Sequence, residues 1–177
     1  MIDKQWEFTG ETKIRFGITL KRIRAAVGFR LKCGIVISKG ELGGWIEKEA
    51  NLSDSAWVSG DARVSGTAEV SGNALVCGDA LVSDSAWVYG NARVSGNAEV
   101  KSSIDYCVYK NTWSSFRWFT YTKSNKMWSV GCFYGTGEEL IAKAYKDSKL
   151  SGKCYEIIVK AQEAIEKAIE EVKETGK

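Results

Sequence analysis

Residues 46–100 repeat a pattern of apolar and polar positions with a period of six. Alanine usually lies two positions before each aliphatic residue, and glycine or aspartate usually lies two positions after it. Asp or Asn commonly follows the glycine, so the repeating unit is Ala-x-Val-x-Gly-Asp/Asn. The aliphatic residues of the series are Ile46, Leu52, Val58, Val64, Val70, Val76, Val82, Val88, Val94 and Val100.

This period predicts short strands rather than an α-helix. With about 3.6 residues per helical turn, a period of six would scatter the valines around a helix. In a strand, Ala and Val two positions apart point to the same side, and Gly with Asp or Asn permits the turn that follows. A unit this short buries no core by itself. We therefore expect successive units to coil and to stack on one another.

The repeat resembles the hexapeptide repeats of left-handed parallel β-helices. In that family three hexapeptides form one triangular coil of about 18 residues, so the ten aliphatic positions imply a little over three coils. The resemblance implies a mainly β fold, with a left-handed parallel β-helix over residues 46–102.

A coil of this length places residues 18 apart above one another on one face. The first face presents Trp45, Arg63, Leu81 and Glu99. The second presents Asn51, Glu69 and Trp87, with Tyr89 just beyond, and the third presents Trp57, Leu75 and Arg93. Exposed apolar groups on the last two faces indicate an interface or a ligand contact.

Before the repeat, residues 1–45 predict a small N-terminal β cap. Trp6–Thr9 is interpreted as a first strand that ends in a turn at Gly10. Apolar residues then alternate with polar or basic ones through Ile14, Phe16, Ile18 and Leu20, which predicts one half-buried strand. Its basic face is interpreted as a solvated surface, and we do not expect nucleic acid to bind.

After the repeat, residues 103–177 predict an α+β domain of three strands and two helices. The strand-like segments are Ile104–Tyr109, Phe116–Thr122 and Met127–Phe133. Thr136 and Glu139 form a capping-box signature for the first helix, and Gly152 is expected to separate it from the second. The second helix carries an apolar stripe at Ile158, Ala161, Ile165, Ala168, Ile169 and Val172.

The amino-acid composition limits the catalytic and metal-binding chemistry open to this chain. The 177 residues include no histidine, which removes the commonest general base and neutral metal ligand, so we expect no cofactor and no metal. The five cysteines are too far apart in the sequence for a zinc or redox pair.

No segment resembles a membrane span or a signal peptide, so we expect a cytoplasmic protein that binds no membrane. The net charge of +3 divides into a basic start, an acidic repeat and a basic end.

The opening Leu42-Gly43-Gly44-Trp45-Ile46-Glu47, with the Ala-x-Val-x-Gly body and the strand Gly131-Cys132-Phe133, resembles a group of hexapeptide-repeat proteins found in phages and prophage-bearing bacteria. The resemblance implies an accessory protein of the host cytoplasm that inhibits host defence. Related hexapeptide enzymes are acyltransferases, which usually use a histidine base, and zinc carbonic anhydrases, which use three histidines. This chain has neither arrangement.

Three functions remain open. We expect a non-catalytic binding protein that blocks a defence protein or sequesters a nucleotide second messenger, and a homo-oligomer, with a trimer favoured. The alternatives are an acyltransferase-like enzyme without the usual histidine and a structural phage part. The aromatic residues either pack against terminal segments and other subunits or form a stacking platform for a base. The predicted contact residues are Trp57, Leu75, Trp87, Tyr89, Arg93 and Arg63.

Overall fold

The computed structural model describes residues 4–176 and confirms the predicted parallel β-helix of about three coils. Short strands recur every six residues and pair in parallel with the strand 18 residues away. The coil strands are β5 (Leu42–Ile46), β6 (Trp57–Val58), β7 (Arg63–Val64), β8 (Glu69–Val70), β9 (Leu75–Val76), β10 (Leu81–Val82), β11 (Trp87–Val88), β12 (Arg93–Val94) and β13 (Glu99–Val100).

The three faces contain the ladders that the period predicts. On face one, β5, β7, β10 and β13 align in register. On face two, β8 pairs with β11, and Leu52 forms a bridge to Val70. On face three, β6, β9 and β12 align in register. The core between the faces is a column of alanine and aliphatic side chains, and each aliphatic residue of the series is at most 3% exposed.

The turns between faces use left-handed backbone conformations. Gly60, Gly66, Gly72, Gly78, Gly90 and Gly96 have φ values between 66° and 75° at these corners. Asp54 and Asp84 take the same slot at φ 54° and 56°. The carboxylate of Asp54 accepts a hydrogen bond from the backbone N–H of Gly72 in the next coil. Each corner position therefore requires a residue that tolerates positive φ. At Asp54 the side chain also forms a hydrogen bond between coils.

The N-terminal cap consists of an antiparallel hairpin of β1 (Trp6–Arg15) and β2 (Ile18–Ala25) and of a separate two-stranded sheet of β3 (Phe29–Arg30) and β4 (Val36–Ile37). β1 passes through Gly10 with a register shift instead of ending there. The expected single strand from Ile14 to Leu20 is wrong, because Phe16 and Gly17 have φ values of 51° and 79° and form the hairpin turn. Phe16 is consequently 92% exposed.

The C-terminal region contains one strand more than predicted. Its antiparallel sheet consists of β14 (Tyr106–Lys110), β15 (Trp118–Thr122), β16 (Met127–Val130) and β17 (Phe133–Gly135). The helices are α1 (Gly137–Asp147) and α2 (Lys149–Glu174). Thr136 and Glu139 form the predicted capping box at the start of α1. The expected helix break at Gly152 is wrong, because Ser148 ends α1 and its side chain caps α2.

Within residues 4–176, no helix is long and apolar enough to cross a membrane.

A substitution at one corner tests the stacking of coils. A Cβ atom at Gly78 would lie 3.0 Å from the backbone nitrogen of Gly96, and φ there is +75°. Gly78→Val forces a β-branched residue into this conformation, so we expect a loss of about 2 kcal/mol in the free energy of unfolding, measured by urea denaturation. Gly78→Asp is the matched control and should cost less, since Asp54 already occupies such a corner. Equal losses for the two variants would contradict this account of the corner.

Candidate functional site

A cleft of about 450 Å³ lies on face three, between the coil and the two caps. We call it the face-three cleft. Asn73, Leu75, Asn91 and Arg93 contribute its coil side. The N-terminal cap contributes the segment Lys32–Gly34, and the C-terminal domain contributes Ser115, Phe116, Arg117, Trp118, Ser129 and Gly131.

Face three is largely covered, which corrects one expectation about Trp57 and Leu75. These side chains are 0% and 4% exposed, so the expectation that they form an exposed contact surface is wrong for Trp57. Phe29 of the N-terminal cap packs edge-on against Trp57, with ring centroids 5.6 Å apart. Leu75 is buried as well, but it still lines the face-three cleft.

Arg93 is held in the cleft by both the coil and the C-terminal domain. Its Nε donates to Ser95 Oγ at 3.2 Å, and its Nη1 donates to the carbonyl oxygen of Gly131. Its backbone N–H donates to Thr120 Oγ1 at 2.8 Å. Within residues 4–176 its Nη2 has no protein acceptor and its guanidinium has no carboxylate within 4.0 Å. Arg93 therefore has a fixed position and donors left for a ligand.

A second guanidinium, that of Arg117, also lies against Gly131. The φ of Gly131 is +57°, and a Cβ atom built on it would lie 3.0 Å from Nη1 of Arg117. Because Gly131 has no side chain, Arg117 can lie over its α-carbon. The carbonyl oxygen of the same residue accepts the hydrogen bond from Arg93. Arg117 is exposed and, in the described part of the chain, forms no ion pair.

The loop that carries Arg117 is anchored by Asn111, which is 1% exposed. Asn111 Oδ1 accepts from the backbone N–H groups of Trp113 and Ser114, at 3.2 and 2.9 Å. Its Nδ2 donates to the hydroxyl oxygen of Tyr155 at 3.2 Å. Burial raises the pKa of Tyr155, so this hydroxyl stays neutral at physiological pH. One buried amide therefore ties the loop to α2.

The lining of the face-three cleft combines positive charge with aromatic surface. Lys32, Arg93 and Arg117 contribute three cationic side chains, and among residues 4–176 no carboxylate lines the cleft. Trp118 and Phe116 are 42% and 65% exposed at its edge. Amides, hydroxyls and the thiol of Cys33 supply further polar groups. Such a lining suits an anionic ligand that carries an apolar or aromatic ring.

Trp87 and Tyr89 lie apart from this cleft, on the open face two. They are 50% and 51% exposed, and their ring centroids are 4.7 Å apart at an interplanar angle of 33°. The indole Nε1 of Trp87 donates to Ser71 Oγ at 3.0 Å, which fixes the orientation of the ring. The two residues form an ordered aromatic pair whose rings stay half exposed, while Tyr106 of the C-terminal domain donates a hydrogen bond to the carbonyl oxygen of Trp87 at 2.9 Å.

Arg63, the remaining predicted contact residue, is half-buried beside the N-terminal hairpin on face one. The hairpin covers this face through Lys13, whose Nζ lies 4.0 Å from the ring centroid of Trp45 and 3.6 Å from Asp61. Partial burial lowers the pKa of Lys13, while Asp61 acts in the opposite direction. The structure therefore does not bring Arg63 together with Arg93.

Sequence reasoning found two residues of the cleft, Leu75 and Arg93, and missed Lys32 and Arg117. The missed residues lie in loops with no periodic pattern. A signal for Arg117 was present in Phe116-Arg117-Trp118, where a cation stands between aromatic residues after Ser114-Ser115. That run was interpreted as the start of a strand, but β15 begins only at Trp118.

The described residues offer no evident metal centre. Among residues 4–176, no group of three or more Cys, Asp or Glu side chains is placed to hold a metal ion. The cysteines form no disulfide within that range.

Comparison with known proteins supports the repeat region. A family model described as "YdcK Beta solenoid repeat" matches residues 76–90 and 86–100. Searches of curated proteins and of solved structures gave no significant match. The matched segments run from β9 to β13, so the comparison and the structure agree that this part of the chain is a β-solenoid repeat.

The anchoring role of Asn111 is testable by a truncation. Asn111→Ala removes the acceptor for two backbone donors and the donor to Tyr155, so we expect a loss of about 2 kcal/mol in the free energy of unfolding. Amide hydrogen exchange at Trp113 and Ser114 should accelerate. Asn111→Asp keeps the acceptor and should lose less stability. Unchanged exchange at both positions in the alanine variant would contradict the anchoring role.

Proposed function

We propose that this protein is a non-catalytic binding protein that sequesters a nucleotide in the face-three cleft. Arg93 and Arg117 bind the phosphate, and the aromatic edge at Trp118 and Phe116 contacts the base. The observation that carries the proposal is that two guanidinium groups both lie against Gly131, in a cleft that no carboxylate of residues 4–176 lines.

The cleft supports a small ligand better than an extended polymer. Its volume of about 450 Å³ lies within the range of roughly 300–1,000 Å³ that is usual for small-molecule sites. Arginine favours phosphate because its planar group forms paired, charge-assisted hydrogen bonds. Asn73 and Asn91 add amide groups able to bind the sugar or the edge of a base.

The proposed biological setting is the cytoplasm of a bacterial host. The resemblance of Leu42-Gly43-Gly44-Trp45-Ile46-Glu47 and the repeat body to phage and prophage proteins supports this setting. In it, the nucleotide is a second messenger of antiviral defence, and binding without turnover lowers its free concentration. A protein that acts in this way needs affinity and a sufficient number of copies, but no catalytic group.

A second candidate is a protein contact on face two, favoured by the exposed pair of Trp87 and Tyr89. Both rings are about half exposed, and the hydrogen bond to Ser71 restricts the indole. Aromatic residues with few rotatable bonds are typical anchors of protein interfaces. Here the protein blocks a defence protein instead of holding a nucleotide, and a homotrimer through the coil is a related arrangement.

The nucleotide proposal is tested by isothermal titration calorimetry on the full chain. The probes are 5′-AMP, a cyclic dinucleotide, pyrophosphate and adenosine. We expect a phosphate-bearing probe with a base to bind, adenosine to bind far more weakly, and Arg93→Met or Arg117→Met to reduce affinity about 10- to 100-fold. The ligand should be recovered unchanged by mass spectrometry.

Arg63→Met is the matched control. Arg63 and Arg93 occupy equivalent places in two copies of the sequence Ala-Arg-Val-Ser-Gly, but Arg63 does not line the cleft. The control should bind the nucleotide as the unmodified protein does. If Trp87→Ala/Tyr89→Ala abolished binding and Arg93→Met had no effect, the nucleotide site would lie on face two instead. A chemically altered nucleotide would instead support an enzyme, and transfer of the acetyl group of added acetyl-CoA to an acceptor, with release of free CoA, would support the acyltransferase alternative.

A further inference from the structure

The C-terminal end of α2 extends past the last contacts that the helix makes with the sheet. The buried residues of α2, Ser151, Gly152, Tyr155, Val159 and Gln162, all lie between residues 151 and 162 of a helix that continues to Glu174. The last hydrogen bond to the sheet joins the hydroxyl of Tyr121 to Glu166 at 2.9 Å. No side chain between residues 163 and 174 is buried. Residues 167–174, about two helical turns, therefore have no packing partner in the described chain.

Beyond Ile158, which is partly buried against the C-terminal core, the predicted apolar stripe of α2 lies on a different side from the one that packs on the sheet. Ile165, Ile169 and Val172 are 51%, 40% and 56% exposed. The sheet is contacted through Gln162 and Glu166 instead, because Tyr109 and Tyr121 present hydroxyl groups there. The stripe recurs at alternating intervals of three and four, which is the heptad spacing of helices that pair along their length. Its members are Ile158, Ala161, Ile165, Ala168 and Val172.

An uncovered stripe of this kind is unfavourable in water. A helical segment this short is marginal by itself, and its stability normally comes from packing of the apolar side. The alternation of branched residues with alanine lets a second helix approach closely, since a large side chain on one helix meets a small one on the other.

The charges of α2 indicate which partner covers the stripe. Residues 149–160 carry Lys149, Lys153 and Lys160 against Glu156, a net charge of +2. Residues 161–174 carry five glutamates against Lys167 and Lys173, a net charge of −3. This order opposes the dipole of the helix itself, which favours acidic residues at its start and basic residues at its end. An antiparallel copy of the same helix offsets the mismatch, because each acidic half then lies beside a basic half.

We propose that two copies of this chain associate through antiparallel pairing of their α2 helices. In a register that places large residues against small ones, Ile165 faces the partner's Ala161 and Ile158 faces the partner's Ala168. A parallel pair would place the acidic halves side by side, so electrostatic repulsion selects the antiparallel orientation. This interface is independent of the face-three cleft, and it predicts a dimer instead of the trimer expected from the repeat.

Sedimentation equilibrium of the full chain tests the association. We expect twice the 19.5 kDa mass of one chain, and a single-chain mass for Ile165→Glu/Ala168→Glu, whose circular dichroism should still show α2. Phe16→Glu, at a still more exposed apolar position on the N-terminal hairpin, is the control and should remain dimeric. A monomeric or trimeric unmodified protein, or a dimer that survives the α2 substitutions, would overturn the proposal.

A charge exchange tests the orientation. Lys149→Glu/Lys153→Glu and Glu171→Lys/Glu174→Lys each place like charges together in the antiparallel pair, so each should weaken self-association about tenfold or more. Both changes agree better with the helix dipole, but each removes one ion pair of α2, Lys153–Glu156 or Lys167–Glu171, so the melting temperature of the monomer should change little. An equimolar mixture of the two variants should form a heterodimer. Failure of the mixture to associate would overturn the antiparallel arrangement.

Discussion

The fold depends on the stacking of each short strand on the strand 18 residues away. Two-residue strands have little stability individually, but the ladder hydrogen bonds and the column of Ala and Val side chains recur in every coil. The left-handed corners make this possible, because they turn the chain sharply and let the backbones of adjacent coils lie close together. Gly60, for example, leaves only 3.1 Å between a built Cβ and the carbonyl oxygen of Gly78.

Stacking also leaves two ends that must be covered, and the caps do more than cover them. The N-terminal hairpin extends face one through the pairing of β2 with β5, and the C-terminal sheet docks β15 against β12 through Thr120 and Arg93. Because both caps reach down face three, they convert a flat solenoid side into the face-three cleft. The face-three cleft therefore lies where the regular β-helix contacts the two caps, which have no repeat.

The difference between the repetitive coil and the non-repetitive caps explains which features could be predicted from the sequence. The period fixed the register, so Leu75 and Arg93 were correctly placed on one ladder and Trp87 with Tyr89 on another. Which face is covered depends on contacts such as Phe29 with Trp57, between residues with no shared pattern, and the burial of Trp57 was therefore missed. The alternation of apolar and polar residues also continues unbroken through Phe16-Gly17, so the pattern predicts a strand where the chain forms the hairpin turn. In α2 the stripe was identified, but the hydroxyl-bearing sheet selects a more polar side of the helix.

The central claim is that the face-three cleft binds an anionic nucleotide between Arg93 and Arg117. The most direct measurement is a two-dimensional NMR titration of ¹⁵N-labelled protein with a cyclic dinucleotide, with resonances assigned for the side-chain Nε–H groups of Arg63, Arg93 and Arg117 and for the indole groups. The account predicts saturable shifts at Arg93, Arg117 and Trp118, with Arg63 and Trp87 unchanged. Shifts confined to Trp87 and its neighbours on face two would contradict it.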